Sequence, residues 1–242
     1  MRIDVITLFP DMFSPLEHSI VKRARAARLV EVHTHQLRDY AVDKHRMVDD
    51  VPYGGGAGMV LKPDPIFEAV RDVQTRASPR GRVILTTPQG KLLKQSLVEV
   101  LAGYPRLIVI CGHYEGVDER VCERLVDEEI SLGDFVLTGG EIPALALIDA
   151  VTRLLPGVID EASLEHESFN AGRLDFPHYT RPRDFEEMSV PDVLLSGHHA
   201  EIEKWRRREA FKRTVERRPD LLDAHPPDAQ EHAWMDEFFP GG

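Results

Sequence analysis

The stretch RVILTTPQGKLLKQSLVEVLAGYPRLIVIC, residues 82–111, decides the fold. It begins and ends with short apolar runs, 82–86 and 107–111, and the segment 91–101 between them has helical character. Strand, helix and strand in this order are typical of a parallel βαβ unit. Working outward, we predict further strands at 3–8, 29–35 and 135–137, and further helices at 66–76 and 142–155. The pattern predicts an α/β fold with a mainly parallel sheet.

Beyond residue 155 the composition changes and indicates a second, smaller domain. Residues 158–172, VIDEASLEHESFNAG, are polar and acidic without a sustained period, which is typical of a linker. After a proline-punctuated stretch, residues 197–219 have the pattern of a helix with a basic face. We therefore predict an α/β domain over 1–159, a flexible linker over 160–172 and a mostly helical domain over 173–242.

The composition excludes several classes of protein. Among the 242 residues no apolar run approaches the length of about 20 residues that spans a bilayer. The first ten residues, MRIDVITLFP, carry Asp4 inside their apolar stretch and favour a first strand over a signal peptide, so we expect a cytoplasmic protein. Two cysteines, Cys111 and Cys122, without zinc spacing argue against a disulfide framework, and the scattered histidines predict no protein metal site.

Charge is segregated along the chain. The net charge is −11, yet residues 204–218 hold eight Lys or Arg against two Glu, a local charge of +6 that leaves −17 for the remainder. A smaller basic cluster lies at residues 22–28. A basic face on an acidic protein is typical of phosphate binding, although a solvated helix face has the same pattern.

Three glycine-rich segments follow predicted strands, at residues 85–90, 111–116 and 131–143. Ligands of open α/β sheets bind beyond the carboxyl ends of the strands, where glycine lets the backbone approach them closely. Neither the dinucleotide motif G-x-G-x-x-G nor the P-loop motif is present, so these two sites lack sequence support. We predict one composite pocket; the alternative is that each segment is a tight turn.

A fourth glycine cluster, PYGGGAGM at residues 52–59, does not follow a recognisable strand. A loop of this composition is flexible enough to open over a flat base, and Tyr53 is available for stacking on it. The alternative is a mobile connection without a ligand.

Long motifs resemble those of the bacterial tRNA (guanine-N1) methyltransferases, which act on the guanosine beside the anticodon. They occur in order over nearly the whole chain. The motifs are ITLFP at 6–10, HRMVDDVPYGGGAGM at 45–59, TPQG at 87–90, CGHYEGVDER at 111–120, SLGDFVLTGGEIPALALIDAVTRLLPGV at 131–158, FPHYTRP at 176–182 and VPDVLLSGHHAEIEKWR at 190–206.

The resemblance implies a member of the knotted methyltransferase superfamily, with a deep trefoil knot that topology rules alone would disfavour. It implies S-adenosylmethionine as methyl donor and a homodimer whose active site is shared between subunits. The cofactor positions that carry over are Leu85, Thr86, Gly90, Gly112, Tyr114, Glu115, Gly116, Ser131, Leu132, Gly133, Asp134, Phe135, Val136, Leu137, Gly139, Gly140 and Pro143.

Catalytic and tRNA-contacting residues follow from the same resemblance. Guanine N1 is protonated at neutral pH, so a base must remove its proton and a cation should stabilise the charge that develops towards O6. The resemblance gives Arg153 as the cation and places the base at residue 167, where this chain has Glu167 instead of aspartate; His166 is the alternative base. Positions expected to contact tRNA are Asp50, Tyr53, Gly58, Asp175, Lys204, Arg206, Arg207, Arg208, Lys212 and Arg213.

Three functional hypotheses are distinguished. The first is transfer of a methyl group to N1 of guanosine 37 in tRNA, with Asp175 and Glu115 binding guanine or Mg²⁺ and the linker ordering only when tRNA binds. The second is a catalytically inactive RNA-binding paralogue on the same fold, because residue 167 differs from the family pattern. The third is a nucleotide-dependent oxidoreductase, which only the α/β pattern supports.

Overall fold

Residues 1–159 fold around a five-stranded sheet in the computed structural model, which describes residues 1–164 and 167–238. The strands lie in the order β2, β1, β6, β5, β7, and every neighbouring pair is parallel. The prediction of an α/β fold with a mainly parallel sheet is confirmed. The strands are β1 Arg2–Thr7, β2 Glu31–Gln36, β5 Arg82–Leu92, β6 Arg106–Cys111 and β7 Glu128–Ser131, and a separate antiparallel pair is β3 Asp49–Asp50 and β4 Val60–Leu61.

Helices cover both faces of this sheet. They are α1 Ser19–Ala26, α2 Pro63–Thr75, α3 Gln95–Ala102, α4 Glu119–Leu125 and α5 Glu141–Arg153, with 3-10 turns at Pro10–Glu17 and Leu37–Tyr40. The central strand β6 is buried along its whole length. Leu107 and Val109 pack with α1, α3 and α5, whereas Ile108 and Ile110 pack with α2. Because successive side chains of a strand alternate between faces, one continuous apolar run serves both layers.

Some predicted boundaries are wrong. Residues 135–137 form no strand; the strand of this region is β7, whose sequence EEIS looks polar because only Ile130 and Ser131 are buried at this sheet edge. Strand β5 continues beyond residue 86 to Leu92, with a register shift against β7 between Thr86 and Lys91. Helix α3 consequently begins at Gln95, not at residue 91.

A buried charge network lies at the amino-terminal end of the parallel strands. Asp4 of β1 is fully buried and accepts hydrogen bonds from Arg2 and from Nε of Arg106, which begins β6. Nε2 of His35 lies 2.9 Å from the same carboxylate. The guanidinium of Arg106 also donates to the carbonyl oxygens of residues 73, 74 and 77 at the end of α2. The network therefore joins three strands to the carbonyl end of a helix, where a cation is favoured.

The second unit, Asp160–Gly242, is built mainly from helices. Its elements are α6 Glu161–Leu164, α7 His199–Arg217, α8 Asp220–Ala224, α9 Ala229–Phe238, the antiparallel pair β8 Asp184–Phe185 and β9 Met188–Ser189, and 3-10 turns at Asn170–Gly172 and Asp192–Leu195. Phe211 of α7 and Trp234 of α9 are buried, with ring centroids 6.4 Å apart. The predicted linker 160–172 contains α6 and a 3-10 turn; its ordering by tRNA stays a prediction. No helix in the described part of the chain is both long and apolar enough to cross a membrane.

Candidate active site

The three glycine-rich segments meet at the carboxyl end of the sheet. Residues 85–90 belong to β5 itself, residues 112–116 follow β6, and residues 132–140 connect β7 to α5. Together they line a cavity of about 400 Å³. Ligand sites commonly have about 300–1,000 Å³, so the cavity is large enough for a nucleoside-sized molecule. The segments therefore form one pocket and not three unrelated turns.

Most of the predicted cofactor positions lie in the wall of this cavity. Gly90, Gly133 and Asp134 do not line it. The fourteen that do are Leu85, Thr86, Gly112, Tyr114, Glu115, Gly116, Ser131, Leu132, Phe135, Val136, Leu137, Gly139, Gly140 and Pro143.

Further lining residues were missed from the sequence. Seven of the ten lie within or directly beside the glycine-rich segments, so contiguity with these segments was the signal that could have found them. Glu119, Cys122 and Glu129 had no such signal, because they come from α4 and from the polar strand β7. The missed residues are Thr87, Pro88, Gln89, His113, Val117, Glu119, Cys122, Glu129, Ile130 and Thr138.

Gly140 marks the point where the three segments cross. Its N–H donates to the carbonyl of Gly112 at 2.8 Å, and the hydroxyl of Thr86 lies 3.2 Å from its carbonyl oxygen. A Cβ at this position would stand 2.1 Å from Thr86 Oγ1 and 2.7 Å from the Gly112 nitrogen. Gly90 has a similar role, since its Cβ would stand 2.3 Å from the Ile130 nitrogen. Only glycine permits these backbone approaches.

Replacing Gly140 with alanine should destabilise residues 1–159, because backbone atoms of a second segment would have to move. Overpacking costs typically about 1–3 kcal/mol, and in a unit of this size that lowers the midpoint of thermal unfolding by about 2–4 °C per kcal/mol. Gly103→Ala is the matched control, since its Cβ would come no closer than 3.3 Å to any such atom. Equal midpoints for the two variants would contradict a close crossing at Gly140.

A buried carboxylate lies behind the glycine wall of the cavity. Glu141, the first residue of α5, is 1% exposed. One of its oxygens accepts a hydrogen bond from the Thr7 hydroxyl at 2.8 Å, and His113 Nε2 lies 3.9 Å from the other. The ring of His113 packs in turn on Phe9 and Tyr114. Glu141 thus anchors the start of the segment 112–116, and the positive end of α5 favours its charge.

The fourth glycine cluster is the loop of a hairpin, which sequence patterns did not predict. Strands β3 and β4 flank residues 51–59, with Asp50 at the end of β3 and Tyr53 fully exposed in the loop. Backbone hydrogen bonds join the far side of this loop to the cavity wall, from Glu115 N to Met59 O and from Leu61 N to Gly116 O. Gly58 faces the Glu115 side chain so closely that a Cβ would stand 2.4 Å from it. The hairpin and the cavity segment 112–116 are therefore one connected structure.

The predicted catalytic residues occupy two units. Arg153 ends α5 in the first unit and Glu167 lies in the second, both half-buried; His166 lies outside the described residues. Residues 169 and 171 adopt left-handed backbone conformations, with φ of 76° and 49°, which non-glycine residues adopt only at a cost. This strain is typical of a functional segment.

Asp175 is hydrogen-bonded to Ser168, the residue that follows Glu167. Its backbone N–H donates to the hydroxyl of Ser168 at 3.0 Å. One carboxylate oxygen accepts from the N–H of Phe176 at 2.7 Å, and the other lies 2.8 Å from Nε2 of His178. The carboxylate of Asp175 is therefore held in place by two local partners.

The cationic side chains of helix α7 differ in whether they have an acidic partner. Arg206, Arg207 and Arg208 pair with Glu203, Asp228 and Glu237, and each also lies over an aromatic ring. Lys212 lies over the ring of Phe238. By contrast, Lys204 and Arg213 have no acidic partner within the described residues. These two cations are the better placed of the predicted set to meet a phosphate, because the arginines at 206–208 would first have to leave a carboxylate.

The described residues hold no group of three or more His, Cys, Asp or Glu placed to bind a metal ion. Both cysteines are free thiols. Burial raises the pKa of the Cys111 thiol well above its ordinary value, and the charge of Glu141 adds to this effect. Cys111 is therefore not a nucleophile at neutral pH.

Comparison with known proteins identifies the family. A family model described as tRNA (guanine-1)-methyltransferase TrmD matches residues 1–224. The chain belongs to the tRNA (guanine-1)-methyltransferase family. The match includes every segment that lines the cavity as well as Arg153, Glu167 and Asp175.

Similar proteins of this family are known from several bacteria. Proteins named tRNA (guanine-N(1)-)-methyltransferase share 58% identity over 223 residues in Chloroflexus aggregans and 54% over 241 residues in Dehalococcoides mccartyi. A third, from Staphylococcus carnosus, is 51% identical over 240 residues. These matches cover 92%, 99% and 98% of this chain, and 88%, 97% and 97% of the relatives. Family membership therefore extends over both units of the chain.

Proposed function

We propose that this protein transfers a methyl group from S-adenosylmethionine to N1 of guanosine 37 in tRNA. The observation that carries the proposal is the cavity at the carboxyl end of the parallel sheet, lined by fourteen of the residues that the family resemblance assigns to the cofactor. The names of the relatives, all tRNA (guanine-N(1)-)-methyltransferases, favour this activity over an inactive RNA-binding paralogue. The oxidoreductase hypothesis gains no support from them.

The cavity fits S-adenosylmethionine, which supplies a methyl group bound to a positively charged sulfur. Glycines at 112, 116, 139 and 140 carry no side chain, so the backbone of the wall can approach a nucleoside closely at these positions. Leu85, Leu132 and Leu137 supply apolar surface for the flat faces of a base. Nδ1 of His113, a lining residue, is buried without a hydrogen-bond partner in the described structure, so the wall still has an unused polar group.

We propose that Glu167 accepts the N1 proton of guanine while Arg153 stabilises the negative charge that develops towards O6. The half-buried position of Glu167 suits a base that must approach a proton within hydrogen-bond distance. Asp175, held by Phe176 and His178, is suited to orienting the guanine and not to removing its proton, because both of its oxygens already have partners.

Three features of the family are part of this proposal. The close crossing at Gly140 supports a deep trefoil knot formed by the three cavity segments. Phe135 and Val136 beside the cavity are 55% and 82% exposed, and covering them would favour a homodimer with a shared active site. The unit 1–159 would then bind the cofactor and residues 173–242 the tRNA, with Lys204 and Arg213 contacting backbone phosphates.

A bound Mg²⁺ ion has less support than the methyl donor. Its preferred ligands are several carboxylate oxygens and waters, and the described residues contain no such cluster. Of the two candidate carboxylates, Asp175 is engaged with local partners, and Glu115 lies against Gly58. We therefore assign no step to a protein-bound magnesium ion.

The proposed function is tested by transfer of a labelled methyl group to two tRNA transcripts that differ only at position 37. We expect incorporation into the transcript with guanosine and none into the transcript with adenosine, because only guanine offers an N1 proton that a base removes. The product nucleoside is identified by mass spectrometry. Absence of incorporation into the guanosine transcript, with the labelled donor bound, would favour the inactive paralogue.

A further inference from the structure

The cavity wall is acidic. Glu115, Glu119 and Glu129 line it, the buried Glu141 stands directly behind Gly139, and none of the described lining residues is Lys or Arg. Among the lining residues that the structure describes, His113 alone can become a cation, and it faces Glu141. A molecule that enters this cavity therefore meets several negative charges and, from the described part of the chain, no permanent positive one.

The adjacent residues Glu128 and Glu129 of β7 differ in whether a cation neutralises their negative charge. Glu128 accepts salt bridges from Arg82 at 2.9 Å and Lys91 at 2.7 Å, on the side of the strand away from the cavity. Glu129 points to the other side, lines the cavity, and has no cationic partner in the described structure. Because Glu129 is half-buried, water screens its charge less than that of an exposed carboxylate.

The neighbouring thiol reports this field. Cys122 lines the same cavity, and burial raises its pKa to about 11, with Glu129 and Glu119 the next contributions in the same direction. A raised pKa of a thiol means that its anion is disfavoured, as expected where nearby carboxylates repel negative charge. Burial, the larger cause, disfavours a charge of either sign, whereas the smaller contributions of Glu129 and Glu119 have the sign that favours a cation.

The reaction changes the charge of the molecule bound here. The carbon–sulfur bond breaks with its electron pair left on sulfur, the new bond forms to guanine N1, and the N1 proton passes to Glu167. A positively charged sulfonium thus becomes a neutral thioether. We propose that Glu129, assisted by Glu119, makes the cavity bind the cationic methyl donor in preference to its neutral product. This inference rests on the proposed function and makes Glu129 a specificity-determining residue of that site.

The consequence is a built-in bias towards product release. Unit charges separated by about 10 Å at an effective dielectric constant of about 20 interact strongly enough to change affinity about tenfold. The attraction is lost when the sulfur becomes neutral, whereas contacts to the nucleoside remain. Replacement of the bound product by a new donor molecule would therefore be favoured after each transfer.

Isothermal titration calorimetry with S-adenosylmethionine and S-adenosylhomocysteine tests this inference on the full chain. We expect the wild type to bind the donor about three- to tenfold more tightly than the product, and the preference to shrink as salt rises from low to high ionic strength. Glu129→Gln should reduce the preference about threefold or more while changing affinity for the product less than twofold. Glu123→Gln is the matched control, because Glu123 is exposed on α4 and does not line the cavity.

The outcomes separate the inference from the function on which it rests. Equal affinity of the wild type for both ligands, with methyl transfer intact, would overturn only the inference. Equal weakening of both ligands by Glu129→Gln would also overturn it, since that result indicates a structural role. If Glu129→Gln fails to fold, Glu119→Gln carries the same expected direction with a smaller effect. No binding of the donor to the wild type would contradict the proposed function itself.

Discussion

Replacing Glu167 with alanine should lower kcat by about 10²- to 10⁴-fold, the contribution typical of a positioned general base. Affinity for S-adenosylmethionine should stay within twofold of the wild type, because the described residues that line the cavity all come before residue 144. Single-turnover methyl transfer to tRNA measures the chemical step, and calorimetry measures donor binding. A loss confined to the rate constant would identify Glu167 as acting on the acceptor.

Two further variants separate the carboxylate from the length of the side chain. Glu167→Gln keeps the shape of the side chain but cannot accept the proton, so it should be as slow as the alanine variant. Glu167→Asp keeps a carboxylate, and the family pattern has aspartate at this position, so it should retain a substantial part of the activity. If Glu167→Gln turns over normally while His166→Gln does not, His166 is the base and the assignment to Glu167 is wrong.

The cavity was largely predictable from sequence because its walls are backbone. Where two backbone segments cross closely, no other residue can replace glycine. The positions of Gly112, Gly139 and Gly140 in the sequence therefore indicate the site directly. Glu129 is different: the sequence shows two adjacent glutamates, and only the parallel pairing of β7 with β5 shows which of them faces the cavity. Side-chain direction depends on strand position, and the strand itself was not predicted.

Strands could be predicted from the sequence where the apolar runs are long, and the prediction failed where the runs are short. Strand β6 is apolar throughout because both of its faces are buried, and its pattern is unambiguous. Strand β7 and the hairpin strands β3 and β4 are short, polar and at edges, so composition cannot distinguish them from loops. From the sequence, the fourth glycine cluster therefore had no recognisable connection to the predicted pocket, although its hairpin is hydrogen-bonded to the cavity wall.

The pairing of charges on α7 also depends on tertiary structure. The sequence shows a cluster of +6 and no partners for it. In the folded unit Asp228 and Glu237, more than twenty positions away from their arginines, neutralise part of it. Lys204 and Arg213 are consequently the cations most available to contact a polyanion. The local sequence does not distinguish them from their neighbours.

Replacing Arg106 with methionine should destabilise residues 1–159 by up to about 3–5 kcal/mol, because the buried Asp4 carboxylate loses its one fully buried cation. It keeps only Arg2, which is partly exposed, and His35. Arg106 is 1% exposed and joins Asp4 to the carbonyl end of α2, so methionine fills its volume but satisfies neither partner. Arg82→Met is the matched control: Arg82 begins the neighbouring strand, and its pair with Glu128 is partly exposed, for which a loss of about 0–1 kcal/mol is expected.

The measurement must resolve the two units. Both tryptophans, Trp205 and Trp234, lie in the second unit, so their fluorescence reports the unfolding of that unit. Hydrogen exchange of the amides in β1 and β6, followed by mass spectrometry, reports the first. We expect faster exchange in these strands for Arg106→Met and little change for Arg82→Met. Equal exchange in the two variants would show that the network at Asp4 contributes little to stability.

The same network predicts how stability depends on pH. Burial alone would raise the pKa of Asp4, but hydrogen bonds from His35, Arg2 and Arg106 outweigh it and hold the pKa well below its usual range. A group whose pKa is lower in the folded state stabilises the fold above the unfolded pKa of about 3.9, and this contribution is lost as pH falls below it. The protection factors of the β1 amides, which correct the observed exchange for the intrinsic exchange rate at each pH, should therefore fall in the wild type from about pH 5 downward. In Asp4→Asn that fall in protection should be weaker, because the variant has no carboxylate to protonate and is already less stable at neutral pH.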